Sequence, residues 1–196
     1  MENTSDELEL WRAFKTGDEL AFSQIYQRHI KVLYRYGHKI SSDSKVVEDA
    51  IQDLFADIWN GRRNLTDPDS VRYYLMRILR RKISRHLEYP NKTEQLDEIK
   101  ADQFSVTESI ENEIVRMEGD DLMTRKVQNA ILHLSSRQQE AINLRYFHEL
   151  SHTQIAEIMD ISLQSVHNTL QKAMKGLREA LHFYPEAYCL PLFFWI

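Results

Sequence analysis

Of the 196 residues, only five are glycine and four are proline. A chain so poor in turn-forming residues is unsuited to the many short strands and hairpins of a β-sandwich or barrel, or to a collagen-like repeat. What remains is an all-α architecture: long helices joined by few turns. Apolar residues make up 42% of the chain and charged residues 28%, the balance of a folded globular protein rather than a disordered one. The length suits one large domain or two small ones.

Hydrophobic spacing places the helices. Asp18, after Gly17, is a helix N-cap, and Phe22, Ile25, Tyr26, His29, Val32 or Leu33, and Tyr36 recur at helical intervals. A break follows at 41–44. The next helix gathers Val47, Ala50, Ile51, Leu54, Phe55 and Ile58 on one face and Glu48, Asp49, Gln52, Asp53 and Asp57 on the other, and ends at Gly61. Residues 64–70, with Pro68, form a loop. A third helix over 71–89 has Leu75, Ile78, Leu79, Ile83 and Leu87 as its apolar stripe.

The second half predicts helices over 122–134 and 137–147, then a short helix with a doubly marked start. Ser151 and Gln154 form a capping box, and Leu150 and Ile155 a hydrophobic staple. It ends at Met159–Asp160, and Ser162 caps a longer helix striped by Leu163, Val166, Leu170, Ala173, Leu177 and Leu181. A short helix, a tight turn and a longer helix make a helix-turn-helix. The longer helix turns Gln164, Ser165, His167, Asn168, Gln171, Lys172 and Lys175 outward. Amides near a recognition helix's N-terminus suit adenine edges, and lysines farther along suit phosphate. The alternative for this face is an ordinary solvated helix surface.

The net charge of −5 speaks against nucleic acid only until it is divided along the chain. Residues 1–65 carry nine basic and eleven acidic side chains, 66–89 six and three, 90–124 three and ten, and 125–196 seven and six. The acidity therefore sits in 90–124, which reads as a linker with a short helix near 110–117. Beside it, Arg72, Arg77, Arg80, Arg81, Lys82 and Arg85 line the third helix, with no acid between 71 and 87. An acidic linker able to fold over this basic helix would weaken DNA binding by the free chain.

The single cysteine, Cys189, rules out an intrachain disulfide and a cysteine-based zinc site, and fits a reducing compartment. The first ten residues are polar and acidic, unlike a signal peptide, and no apolar run has membrane-span length. Both point to a cytoplasmic protein. His148-Glu149-Leu150-Ser151-His152 matches the H-E-x-x-H zinc-protease signature. That chemistry needs both histidines on one continuous helix, and the capping box at Ser151 interrupts it. Metal and catalytic residues are therefore expected to be absent, with a zinc protease as a remote alternative. No glycine-rich phosphate loop and no Ser/His/Asp signature is present.

Taken together, these segments resemble the extracytoplasmic-function (ECF) group of bacterial sigma factors, from about Glu7 to Leu181. GDELAFSQIYQRHIKVLYRYG (17–37) is similar to the family's first helix, and VEDAIQDLFADIW (47–59) to the segment that docks on polymerase. SVRYYLMRILRRKI (70–83) is similar to the segment that melts and reads the minus-ten element. Residues 134–178 resemble the domain that reads the minus-thirty-five element.

The resemblance implies core RNA polymerase and promoter DNA as partners, an anti-sigma factor as a further candidate, no cofactor and no catalytic activity. Polymerase docking would fall to Glu48, Asp49, Gln52, Asp53, Phe55 and Asp57, with Phe55 and Trp59 available at the helix edge. Melting would fall to Arg72, Tyr73, Tyr74, Arg77, Arg80, Arg81 and Lys82, and at least one of the two tyrosines is expected in the core. The loop 64–70 is where the family captures a flipped base. Upstream contacts would fall to Gln164, Ser165, His167, Asn168, Gln171, Lys172 and Lys175. The implied organisation is an N-terminal domain over 1–91, an acidic linker over 92–122, a helix-turn-helix domain over 123–183 and an apolar tail over 184–196. That tail either packs on its own domain or offers a docking strip to the other domain or an anti-sigma protein. The runner-up is a helix-turn-helix regulator without polymerase docking.

This chain departs from the family at several positions. Arg81 stands where Asn is usual, Arg85 where an acid is usual, Asp160 where the turn usually has Gly, His167 where a basic residue is usual, and Lys172 where Arg is common. The promoter sequence is therefore not transferable.

Overall fold

A computed structural model describes residues 4–88 and 122–182. The linker helix expected near 110–117, the tail 184–196 and Cys189 lie outside the described residues. Among these residues there are eight α-helices and no strand. The chain divides into an N-terminal and a C-terminal unit.

The N-terminal unit contains α1 (Thr4–Thr16), α2 (Glu19–Ile40), α3 (Ser44–Gly61) and α4 (Val71–Glu88), with a single 3₁₀ turn at Arg62–Asn64. Gly17, at φ +101°, makes the left-handed turn that closes α1, a conformation most side chains avoid. Asp18 then caps α2, its carboxylate accepting from the Leu20 and Ala21 backbone N–H groups, and Asp43 does the same for α3. Ser70 caps α4, its Oγ accepting from the Tyr73 N–H at 3.3 Å. The core joins Trp11 and Phe14 of α1 to Ile25, Leu33 and Tyr36 of α2, Leu54 of α3, and Leu75, Met76, Leu79 and Ile83 of α4. At Gly37 the backbones come so close that a Cβ would stand 2.6 Å from Val47 Cγ1 of α3 and 3.4 Å from Ile83 Cδ1 of α4.

The C-terminal unit contains α5 (Leu122–Leu132), α6 (Ser136–Ile142), α7 (His152–Met159) and α8 (Leu163–His182). Ser135 and Gln138 form a capping box at α6. The helix expected over 137–147 is not uniform. After Ile142 it widens into a π turn, Asn143–Phe147. The exit is fixed by Leu150 N–H donating to the Leu144 carbonyl at 3.1 Å and by Arg145 donating to the Leu150 carbonyl at 3.0 Å. Ser151 and Gln154 form the capping box of α7, and Asp160 adopts the left-handed conformation (φ 52°, ψ 52°) after it. Ser162 Oγ accepts from the Ser165 N–H and starts α8. Leu144, Ile155, Val166 and Ala173 are fully buried.

This geometry also decides the H-E-x-x-H match. His148 ends the π turn, Glu149 has a positive φ of 56°, and His152 opens α7. The two histidines lie on different elements, so the zinc-protease alternative lacks the continuous helix it requires. Among the described residues, no group of three or more His, Cys, Asp or Glu side chains is arranged to hold a metal. No described helix is long and apolar enough to cross a membrane.

Candidate nucleic-acid interface

In the C-terminal unit α7 and α8 meet at the tight turn through Asp160. From Val166 onward the apolar stripe of α8 faces inward: Val166 and Ala173 are fully buried, and Leu170, Met174, Leu177 and Leu181 nearly so, whereas Leu163, expected in the stripe, is exposed at the first turn. Gln164, Asn168, Gln171, Lys172 and Lys175 are therefore exposed, and Ser165 is half-buried. Their contacts run along the helix itself. Gln164 Nε2 donates to Asn168 Oδ1 at 3.1 Å, Ser162 Oγ and Ser165 Oγ are 2.8 Å apart, and Lys175 Nζ lies 3.8 Å from Glu179 Oε1. His167 departs from the outward set. It is half-buried, its ring edge-to-face with His152 of α7 at 4.3 Å between centroids. Burial holds the His152 imidazole below its ordinary value, helped by His167 and Arg145.

In the N-terminal unit the basic face of α4 is present, but its cations are not equivalent. Arg77, Arg81 and Arg85 are exposed, while Arg72, Arg80 and Lys82 are half-buried. Arg80 donates to Ser84 Oγ at 2.7 Å. Lys82 Nζ donates to Asp57 Oδ2 of α3 at 2.6 Å, and His86 Nε2 lies 3.3 Å from Asp53 Oδ2 of the same helix. Two carboxylates assigned to polymerase docking thus stand against two basic groups of α4. Sequence reasoning treated these faces as separate surfaces. The signal was available: Asp53 and Asp57 are four apart, as are Lys82 and His86, the spacing of one ladder between antiparallel helices.

Elsewhere on α3, Glu48 and Gln52 are exposed and Asp49 is half-buried. Phe55 corrects the expectation that it is available at the helix edge. Its side chain is only 5% exposed, edge-on to Phe22 and Tyr26 of α2, because it belongs to the apolar stripe. Trp59 stays half-buried, with the Arg62 guanidinium over its ring at 4.3 Å. Of the two tyrosines, Tyr74 packs edge-on to Trp11 of α1 at 5.4 Å, and burial raises its phenol above the ordinary value.

The sequence reading did not anticipate what α1 does at the loop before α4. Trp11 Nε1–H donates to the Thr66 carbonyl at 3.1 Å. Arg12 Nε and Lys15 Nζ each donate to a different oxygen of Asp67, both at 2.8 Å. Hydrogen bonds from Lys15, then Arg12, hold the Asp67 carboxyl below its ordinary range. The available hint was the Trp11–Phe14 pair at helical spacing just ahead of Gly17.

The comparisons follow these two units. The family model for Sigma-70 region 2 matches residues 25–92, and that for Sigma-70 region 4 matches residues 124–177; together they cover more than half of the chain. The RNA polymerase sigma factor YlaC of Bacillus subtilis is 27% identical over 168 residues, covering 81% of this chain and 88% of that protein. The fold resembles CnrH, solved in complex with the cytosolic domain of CnrY, with a TM-score of 0.57 at 18% identity, over 91% of this chain and 98% of that one. It also resembles RpoE of Bartonella quintana, solved with the anti-sigma factor NepR, with a TM-score of 0.53 at 19% identity, over 83% and 98%. With a region 2 match on the basic-helix unit and a region 4 match on the helix-turn-helix unit, the chain belongs to the sigma-70 family, in its extracytoplasmic-function group.

Proposed function

We propose that this sigma factor directs core RNA polymerase to promoters with three separate surfaces and has no catalytic activity of its own. Glu48, Asp49, Gln52, Asp53 and Asp57 on α3 take the docking role. Phe55 works from inside the core, as support for that helix. Arg72, Tyr73, Tyr74, Arg77, Arg80 and Arg81 on α4, with the loop before it, take the melting and minus-ten role, while Lys82 is engaged by Asp57. Gln164, Ser165, Asn168, Gln171, Lys172 and Lys175 on α8 take the minus-thirty-five role, with His167 packed beside them.

The observation that carries this reading is the exposed amide-then-lysine face of α8, on a helix-turn-helix capped at both Ser151 and Ser162. The proposed domain limits are 1–91 and 123–183, with 92–122 as linker. The work is cytoplasmic. An anti-sigma factor is a further partner, supported by the co-crystallisation of RpoE, a protein of similar fold, with NepR.

The test is to mix the tagged full-length chain with core polymerase in the absence of DNA, then to run transcription on genomic promoters. Co-elution and promoter-dependent run-off transcripts are expected. A chain that binds promoter duplex but never core polymerase would instead be a helix-turn-helix regulator.

A further inference from the structure

We infer that α1 is part of the minus-ten reading site: Trp11, Arg12 and Lys15 are positioning residues that set the conformation of the loop 65–70. The inference rests on the proposed role of that loop in taking up an unstacked base.

Three observations support it. The first is geometric. The loop joins the 3₁₀ turn to α4, ending at Ser70, which caps α4 just ahead of Arg72. Two consecutive loop residues are held from α1, Thr66 through its carbonyl by Trp11 and Asp67 through both carboxylate oxygens by Arg12 and Lys15. A loop fixed at backbone and side chain presents one shape to a base, and a pocket discriminates bases only as well as its shape is held.

The second is electrostatic. Asp67 and Asp69 put two negative charges in a loop that must lie beside a phosphate backbone. Arg12 and Lys15 place two cations on Asp67, which turns the sign of that end of the loop toward one DNA tolerates. The third is that α1 is fastened independently of the loop. Trp11 and Phe14 are fully buried, Glu7 Oε1 stands 2.8 Å from the buried His29 Nε2, and Asp6 pairs with Arg28 at 2.9 Å. The contact with His29 holds the Glu7 carboxyl below its ordinary range. Cutting the bonds to Asp67 therefore releases the loop at that residue and leaves the helix in place.

The experiment uses holoenzyme assembled from core polymerase and the full chain, on a promoter library randomised over the minus-ten element. Three forms are compared: wild type, Asp67→Asn, and Arg12→Gln combined with Lys15→Gln. Trp11→Phe, which removes the N–H donor and also trims a fully buried ring, is a fourth and is read for minus-ten preference only. The expected result is a loss of preference confined to one or two minus-ten positions. Its size should be about fivefold, the low end of what one direct base contact discriminates. In the Asp67 and Arg12/Lys15 variants, preference at the minus-thirty-five element, affinity for core polymerase and the melting temperature should stay at wild-type values.

Asp67→Glu, which can still accept from both cations, should restore most of the preference. Unchanged minus-ten preference in both Asp67→Asn and the double variant overturns the inference alone. An equal loss at every promoter position also overturns it, since that marks a general defect in opening. A wild-type holoenzyme with no minus-ten preference overturns the assigned role of the loop as well.

Discussion

On α4, Lys82 and His86 face Asp57 and Asp53 of α3 and the loop leading into the helix is tied to α1, while Arg81 and Arg85 are exposed. Along α8 most polar side chains touch only one another, as Gln164 does Asn168 and Lys175 does Glu179, and are exposed; His167, packed on His152 of α7, is the exception. The contrast fits two different tasks. A helix laid into the major groove of an intact duplex needs a protruding face free of its own scaffold. A surface that accepts an unpaired strand and an extruded base needs a shape, and several elements must agree to make one. Lys82 of the first unit is accordingly engaged by its own scaffold, while Lys172 of the second is exposed.

The largest test of this contrast concerns the packing that brings α2, α3 and α4 together. Gly37→Ala drives a methyl against Val47 and Ile83, and overpacking of this kind costs about 1–3 kcal/mol, against roughly 1 kcal/mol that alanine gains over glycine inside a helix. A net loss of about 1 kcal/mol is expected in thermal or urea unfolding. Gly61→Ala, where nothing lies within 4 Å of the added carbon, should show no loss. Equal stability of the two variants would mean that the N-terminal unit is not tightly packed at this crossing.

The next test is in the DNA. Lys172→Gln should reduce the dependence of log affinity on log salt by about 0.9 for duplex binding, the signature of one lost phosphate contact. Lys82→Gln should change the slope for holoenzyme binding much less, because Asp57 already neutralises its ammonium. Equal slope changes would erase the distinction between engaged and free cations.

The smallest effect is expected from pH. His152 is held below its ordinary value of 6.5 in the folded chain, so the unfolded chain takes up a proton first as pH falls. The stability it contributes is present above pH 6.5 and is lost as pH drops through that value toward the lower folded one. Unfolding midpoints between pH 7.5 and 5.5 should fall less steeply in His152→Gln than in wild type. An identical slope would remove the imidazole pair from the account.

Much of the fold is legible in the residues, and the reasons differ by element. Asp18, Ser151 and Ser162 announce helix starts because a cap is a local event, settled within four residues. The left-handed Asp160 is legible in the same way. The π turn at 143–147 is not, since its bonds to Leu150 and from Arg145 depend on where the chain returns. The two exposed faces could be read from the apolar stripes they leave uncovered. Which groups on those faces are engaged could not, because Lys82 and Asp57 are 25 residues apart and α1 reaches its loop across more than 50. Phe55 was misplaced at the edge although its position in the stripe already fixed it inside.

The Asp57–Lys82 and Asp53–His86 ladder has a consequence for genetics. Each rung joins a residue proposed for docking to the helix proposed for opening, so a defect isolated in one selection will be found repaired by changes that belong to the other. A charge reversal at Asp57 should be suppressed by reversal at Lys82, and allele pairs along this seam would map two phenotypes onto one structural locus.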